Sequence, residues 1–310
     1  MKVVLFCGGL GMRLRDHPEN VPKPMVTIGY RPILWHLMRY YAHFGHKDFI
    51  LCLGHRGDVI KHYFLNYEEC VTNDFVLSEG GRRRELLSSD IEDWRITFVD
   101  TGLNASIGER LRAVERHLAG EEMFLANYAD GLTDLPLREQ IEHFRKLDKV
   151  GSFLCVKPNL SYHAVTTDAD GLVTAFRDIV ESGIRVNGGF FVFNRDIFRY
   201  LREGEELVLE PFERLIREQQ LLAYRYDGFW LAVDTAKDNP DVEKFVNLVS
   251  NLHSDEGPVA KPVVLEPGVY ETPIPAADLM EPVVLLPAVE DPEADQDSEA
   301  EFESDEEPLY

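Results

Sequence analysis

The chain opens on a short apolar run, Val3-Val4-Leu5-Phe6-Cys7, that passes directly into Gly8-Gly9-Leu10-Gly11-Met12-Arg13-Leu14, with Pro22-Lys23-Pro24-Met25 after it. A buried strand closed by a glycine loop is a unit of a phosphate-binding sheet. Small residues let backbone N–H groups approach anionic oxygens, and Arg13 and Lys23 supply cations to neutralise them. The loop is not a Walker A loop, which needs four residues between its glycines and then Gly-Lys-Ser/Thr. Nor is it the dinucleotide fingerprint Gly-x-Gly-x-x-Gly, because Gly9 and Gly11 fit but position 14 is Leu. A plain turn between strand and helix would also use glycines. The two cations in register are what point to polyphosphate.

The first half of the chain then alternates strand and helix patterns. Strands are expected at 3–7, 49–54, 96–99 and 123–128, and helices at 32–44, 58–67, 108–118 and 137–147. That order predicts an α/β, Rossmann-like three-layer sandwich with a mostly parallel, mixed central sheet. Ligand sites in such sheets lie at the carboxyl ends of the strands. Beyond residue 150 the pattern changes to short strands at 152–157, 163–167, 172–176 and 190–193 and a helix at 210–218. A further strand pair, 223–226 and 229–233, is expected around Asp227-Gly228. This acceptor half, about 151–253, is expected to complete the sheet begun by the nucleotide half, about 1–150.

The net charge is −23, but it is unevenly placed. Residues 254–310 hold 17 Asp and Glu against one Lys, and nine prolines, whereas 1–253 carry 38 acids and 31 bases. The mildly acidic body disfavours nucleic acid, whose phosphates it would repel. The tail reads as disordered or loosely docked, with apolar islets at 262–265 and 282–286 able to dock. No apolar run approaches the roughly 18 residues of a membrane span. The first strand is too short for a signal segment. Four cysteines without paired metal spacing read as reduced core residues, which makes the cytoplasm the expected location.

Two aspartates stand where a phosphate site needs them. Phe124-Leu125-Ala126-Asn127-Tyr128-Ala129-Asp130-Gly131 is an apolar strand ending in Asp-Gly, and Phe229-Trp230-Leu231-Ala232-Val233-Asp234-Thr235 repeats the pattern. Either Asp alone reads equally as a turn or cap residue. Two carboxylates from two strand ends suit Mg²⁺, which takes a few protein oxygens and leaves positions for phosphates and water.

The glycine loop with Pro22-Lys23-Pro24 resembles the signature of sugar-1-phosphate nucleotidylyltransferases. Over roughly 1–250 the chain is similar to the bacterial glucose-1-phosphate cytidylyltransferases of that family. The likeness rests also on Pro32-Ile33-Leu34-Trp35-His36, Val99-Asp100-Thr101-Gly102, Gly108-Glu109-Arg110-Leu111, Asp130-Gly131, Asn187-Gly188-Gly189-Phe190 and Asp234-Thr235. It implies transfer of a nucleotidyl group from a nucleoside triphosphate, CTP favoured, to a sugar 1-phosphate, with pyrophosphate released. It further implies that Gly8, Gly9, Leu10 and Gly11 cradle the nucleotide, that Arg13 neutralises the leaving pyrophosphate, and that Lys23 bridges nucleotide and sugar phosphate. Asp130 and Asp234 would bind Mg²⁺. Arg110 would contact nucleotide, with a solvated helix position as the plainer alternative. Asn187 and Gly188 would line the sugar side, and the protein would be a homo-oligomer.

The departures from the family pattern concentrate on the acceptor side. The usual Glu-Lys-Pro is replaced by Phe176-Arg177-Asp178-Ile179-Val180, with Ile179 at the lysine position. Arg185 or Arg177 would have to replace that charge, Arg185 being preferred for its nearness to Asn187. His163 either meets a phosphate or fills space. Ala129 stands where Gly is usual, and Met12 where Thr is frequent. Two other readings follow: a nucleotidyltransferase for a different phosphorylated acceptor, and a non-catalytic nucleotide binder acting through its acidic tail.

Overall fold

The computed structural model describes residues 1–9, 21–158 and 162–232, and the backbone of 263–265. Strand β1 (Val3–Phe6) is followed, among these residues, by a 3-10 turn (Lys23–Met25), a small hairpin of β2 (Thr27–Ile28) and β3 (Arg31–Pro32), and helix α1 (Ile33–His43). Next come β4 (Asp48–Leu53), α2 (Gly57–Leu65), the hairpin β5 (Phe75–Ser78) and β6 (Arg83–Leu86), β7 (Arg95–Asp100) and α3 (Ile107–Ala113). Strand β8 (Met123–Tyr128), the short β9 (Gly131–Thr133) and α4 (Leu137–Leu147) complete the first half. The second half holds β10 (Gly151–Val156), the hairpin β11 (His163–Thr167) and β12 (Val173–Asp178), β13 (Val186–Asn187) and β14 (Phe191–Asn194). It ends in α5 (Glu210–Arg217), β15 (Leu221–Arg225), β16 (Trp230–Ala232) and β17 (Val263–Leu265).

The central sheet runs β7-β4-β1-β8-β14-β10-β13, with β15 also beside β10. Strands β7, β4, β1 and β8 are parallel to one another, β14 is antiparallel to both β8 and β10, and β15 is parallel to β10. The sheet is therefore mixed, as the strand order predicted. Its two faces are both covered, which is why β1 is apolar at every position. Val3 and Leu5 pack with Leu34, Leu37, Met38 and Tyr41 of α1, Ile60 of α2 and Phe144 of α4. Val4 and Phe6 point the other way, into a core with Leu111 of α3 and Phe212 and Leu215 of α5. The alternation of one strand between two helical layers gives the three-layer sandwich.

Three expectations need correction. The strands around Asp227-Gly228 do not pair with each other: β15 joins β10, while β16 pairs with β9 through Trp230↔Thr133. The turn between them is tied elsewhere, with Tyr226 OH donating to Asp134 Oδ1 at 2.6 Å and Arg185 Nη2 to Asp227 Oδ1 at 2.7 Å. The helix expected over 108–118 ends at Ala113 and continues as a 3-10 turn, Glu115–Leu118. The hairpin β5–β6 was not foreseen, because Phe75, Val76 and Leu77 are exposed and show no burial periodicity to read. Of the 262–265 islet, the described backbone of β17 pairs antiparallel with β6. The rest of the proposed tail lies outside the described residues. Among the described residues no helix is long and apolar enough to cross a membrane.

Candidate nucleotide and acceptor site

The carboxyl ends of β1, β4, β7 and β8 open on one edge of the sheet, where Gly8, Gly9, Arg110 and Asp130 lie. Gly8 and Gly9 follow β1; Leu10, Gly11 and Arg13 lie outside the described residues, as does Asp234. Gly9 is exposed, and no described residue comes within 4 Å of where its Cβ would stand. Gly8 is buried, and a Cβ on it would come 2.1 Å from Arg110 Nη1. Its missing side chain thus makes room for a protein group.

Arg110 is only 2 % exposed, so the solvated helix position is excluded. Helix α3 presents it inward because Ser106 opens the helix with a capping box: Ser106 Oγ accepts from the Glu109 N–H, and Glu109 Oε2 accepts from the Ser106 N–H. Its Nη1 donates to Thr101 Oγ1 (2.7 Å), Gly102 O (2.9 Å) and Leu53 O (3.2 Å), and its Nη2 to Gly8 O (3.0 Å) and Leu103 O (3.3 Å). One guanidinium therefore ties together the loops after β1, β4 and β7. All five acceptors are neutral, and burial pulls the Arg110 pKa below its ordinary value. A Cβ at Gly54 would also crowd it, at 2.8 Å from Nη1.

Lys23 and Asp130 are brought together. The 3-10 turn of Lys23–Met25 buries Pro24 and Met25 and leaves Lys23 as its polar member. Lys23 Nζ donates to Asp130 Oδ2 at 2.5 Å, an ion pair linking residues 107 positions apart. Asp130 sits just past the end of β8, as its sequence context predicted. Ala129 before it is buried and is not among the residues of positive φ, so Ala in place of the usual Gly carries no backbone penalty there.

On the acceptor side, β13 and β14 both run antiparallel to β10, joined by residues 188–190. Asn187 Oδ1 accepts from the Gly189 N–H at 2.9 Å, and its Nδ2 donates to Tyr128 OH at 3.4 Å, which draws Asn187 toward the end of β8. Burial pushes the Tyr128 phenol up, so it stays protonated. Gly188 O accepts from Trp230 Nε1 at 2.9 Å. Arg185 is engaged elsewhere: Nη1 donates to Cys155 O and Tyr226 O, and Nη2 pairs with Asp227, which Lys157 also approaches at 3.5 Å. Arg185, then Lys157, holds the Asp227 carboxyl below its usual range. Arg177 is exposed on β12 and has no ion pair among the described residues. His163 lies flat on the exposed ring of Phe176, ring centroids 4.9 Å apart.

Sequence reasoning missed the buried polar groups behind the site. Asn127 and Gln140 are both fully buried and bond Phe190, Asn127 Oδ1 accepting its N–H and Gln140 Nε2 donating to its carbonyl. An Asn in the middle of an apolar strand was the one available signal, since such a group is retained only when bonded.

No family model matches the chain. A probable glucose-1-phosphate cytidylyltransferase of Bacillus subtilis is 34 % identical over 249 residues, 80 % of this chain and 96 % of that protein. The glucose-1-phosphate cytidylyltransferase of Salmonella typhimurium is 36 % identical over 245 residues, 78 % of this chain and 95 % of that one. Among solved structures, HddC from Yersinia pseudotuberculosis superposes with a TM-score of 0.54 at 20 % identity, covering 79 % of this chain and 99 % of its own. That last likeness concerns the fold alone. The loop after β1, the Lys23–Asp130 pair and likeness to curated relatives over four fifths of its length lead to one conclusion: the chain belongs to the sugar-1-phosphate nucleotidylyltransferase family.

Proposed function

We propose that the chain transfers a cytidylyl group from CTP to glucose 1-phosphate with the help of Mg²⁺. The observation that carries this reading is the ion pair of Lys23 and Asp130 at the carboxyl edge of the sheet, in a chain whose relatives at 34–36 % identity are glucose-1-phosphate cytidylyltransferases. In the reaction an oxygen of the sugar phosphate attacks the α-phosphorus. A new P–O bond forms, the bond to the β-phosphate oxygen breaks, and pyrophosphate leaves with the electron pair. The attacking oxygen is already ionised near neutral pH. No general base is needed, so the protein's work is positioning and charge neutralisation.

Each residue then has a role its chemistry supports. Lys23 supplies a cation between the two phosphates. Arg13 does the same for the leaving pyrophosphate, and the backbone from Gly8 to Gly11 cradles the nucleotide. Arg110 acts on that cradle from beneath, by holding the Gly8 carbonyl. Asp130 fits Mg²⁺ in its chemistry: it offers a partly exposed, hard carboxylate oxygen at a strand end. With Asp234 it would hold the ion, which neutralises triphosphate charge. Asn187 and Gly188 line the sugar side.

A second reading, transfer to a different phosphorylated acceptor, is favoured by the acceptor half. Ile179 stands at the lysine position and Arg185 is already paired with Asp227. Pyrophosphate release from CTP, UTP, dTTP, ATP and GTP against a panel of sugar phosphates separates the two readings. Turnover confined to CTP with glucose 1-phosphate supports the first. Turnover only with another phosphate ester supports the second. Asp130→Asn is expected to lower turnover by more than a hundredfold with thermal unfolding unchanged, and an unchanged rate would refute the metal assignment.

A further inference from the structure

The segment joining β13 to β14 is held in an unusual way. Phe190 is 1 % exposed and has φ +46°, a left-handed conformation unfavourable for any bulky residue. Side chains capture both of its backbone groups. Its N–H donates to Asn127 Oδ1 at 3.1 Å, and its carbonyl accepts from Gln140 Nε2 at 2.7 Å. Tyr40 packs edge-on against its ring at 5.6 Å and Tyr41 stacks on it at 6.0 Å, so the ring is fixed as well.

The two amides that do this are buried at a cost. Asn127 follows Phe124, Leu125 and Ala126 in β8, and among the described residues its Nδ2 bonds Tyr41 OH alone, at 3.2 Å. Gln140 keeps Oε1 buried with no hydrogen-bond partner among the described residues. An unmade bond of that kind disfavours the residue. Its one bond, to the Phe190 carbonyl, is therefore the feature that accounts for a glutamine there.

The neighbouring glycines close the arrangement. A Cβ on Gly189 would lie 2.5 Å from Asn127 Oδ1, and one on Gly188 would lie 2.9 Å from Trp230 Nε1. Asn187 stands immediately before this segment, and its own Oδ1 is set by the Gly189 N–H. The conformation of 188–190 thus determines where the Asn187 amide and the Gly188 carbonyl stand relative to Tyr128 and the end of β8.

We infer that Asn127 and Gln140 are positioning residues for the sugar-phosphate acceptor, acting through the strained 188–190 segment that carries Asn187 and Gly188. The inference rests on the acceptor role proposed above for those two residues. Among the described residues neither amide bonds Gly8 or Gly9, and it is Arg110 that holds the Gly8 carbonyl, so their loss should be felt by one substrate only.

Gln140→Met removes the donor and the orphan oxygen together at similar volume. In the full-length protein it should leave the thermal midpoint within a few degrees of wild type. The KM for glucose 1-phosphate should rise fivefold to twentyfold while the KM for CTP stays within twofold. Gly189→Ala, which pushes directly on Asn127, should show the same split more strongly. If wild type turns over and both KM values of Gln140→Met stay within twofold, the inference is overturned and the acceptor reading stands. Both KM values rising together with a lowered thermal midpoint would also overturn it, as a general loss of structure. A wild type that turns over no sugar 1-phosphate overturns the acceptor reading and this inference with it.

Discussion

Replacing Gly8 by alanine separates two explanations of why a glycine stands there. Gly8 does not have positive φ, so an alanine is conformationally allowed. The obstacle is steric: its Cβ would lie 2.1 Å from Nη1 and 2.4 Å from Cζ of Arg110, where ordinary contact begins near 3.4 Å. The guanidinium must retreat by more than an ångström, yet it is pinned by bonds of 2.7, 2.9 and 3.0 Å to Thr101, Gly102 and Gly8. Losing the equivalent of one or two charge-assisted bonds sets the cost of Gly8→Ala at about 3 kcal/mol. Arg110→Met takes the guanidinium donors from the Gly102 and Gly8 carbonyls and the Thr101 hydroxyl and should cost about 3–4 kcal/mol. In that background the new methyl meets a flexible thioether, and Gly8→Ala should cost about 0.5 kcal/mol. The coupling is then about 2.5 kcal/mol, well above the few tenths expected of independent sites. Urea unfolding of the four proteins with linear extrapolation measures it. If Gly8→Ala costs the same in both backgrounds, Arg110 is not what excludes a side chain at Gly8, and the glycine is there for the ligand.

Two further outcomes are expected. Glu69 accepts from the Asp90 backbone N–H beside the buried Arg31, and Tyr67 and Thr72 donate to the Asp90 carboxylate at 2.8 Å. Burial, then the bond to Asp90, pushes Glu69 up to about 7. Burial would raise Asp90 too, but the bonds from Glu69, Tyr67 and Thr72 outweigh it and hold it below its ordinary value. A raised carboxyl stabilises the fold below its unfolded pKa and loses that contribution as pH rises through its folded one. The thermal midpoint of wild type should fall between pH 6 and 8 by more than that of Glu69→Gln; equal slopes would sink this account. For the acceptor charge, Arg185→Ala should leave the glucose 1-phosphate KM within threefold, since Asp227 already neutralises that arginine. Arg177→Ala should raise it by about fivefold to tenfold, the worth of roughly 1 kcal/mol at an exposed site. The reverse order in steady-state kinetics would restore Arg185.

Much of the fold was legible because its signals are local. A run such as Val3–Phe6, apolar at every position, fits a strand buried on both faces, and β8 ends at the Asp-Gly that carries Asp130. Where burial is slight the pattern fails, as at β5, whose Phe75, Val76 and Leu77 face solvent. The turn Asp227-Gly228 invited a hairpin, but pairing depends on which partners are nearer in space, and β10 and β9 took the two strands apart.

The site divides in the same way. By itself the sequence determined the glycine loop after β1, the Pro-Lys-Pro cation and the carboxylate at a strand end, because those features are written in consecutive residues. Only the tertiary structure decided that Lys23 meets Asp130 across 107 positions and that Arg185 is paired with Asp227. It alone decided that Gly8 lies against Arg110, and that two buried amides hold Phe190. The physical reason is range. Backbone propensity and apolar period act over a few residues, whereas hydrogen-bond satisfaction in a core is settled among groups that folding brings together from distant parts of the chain.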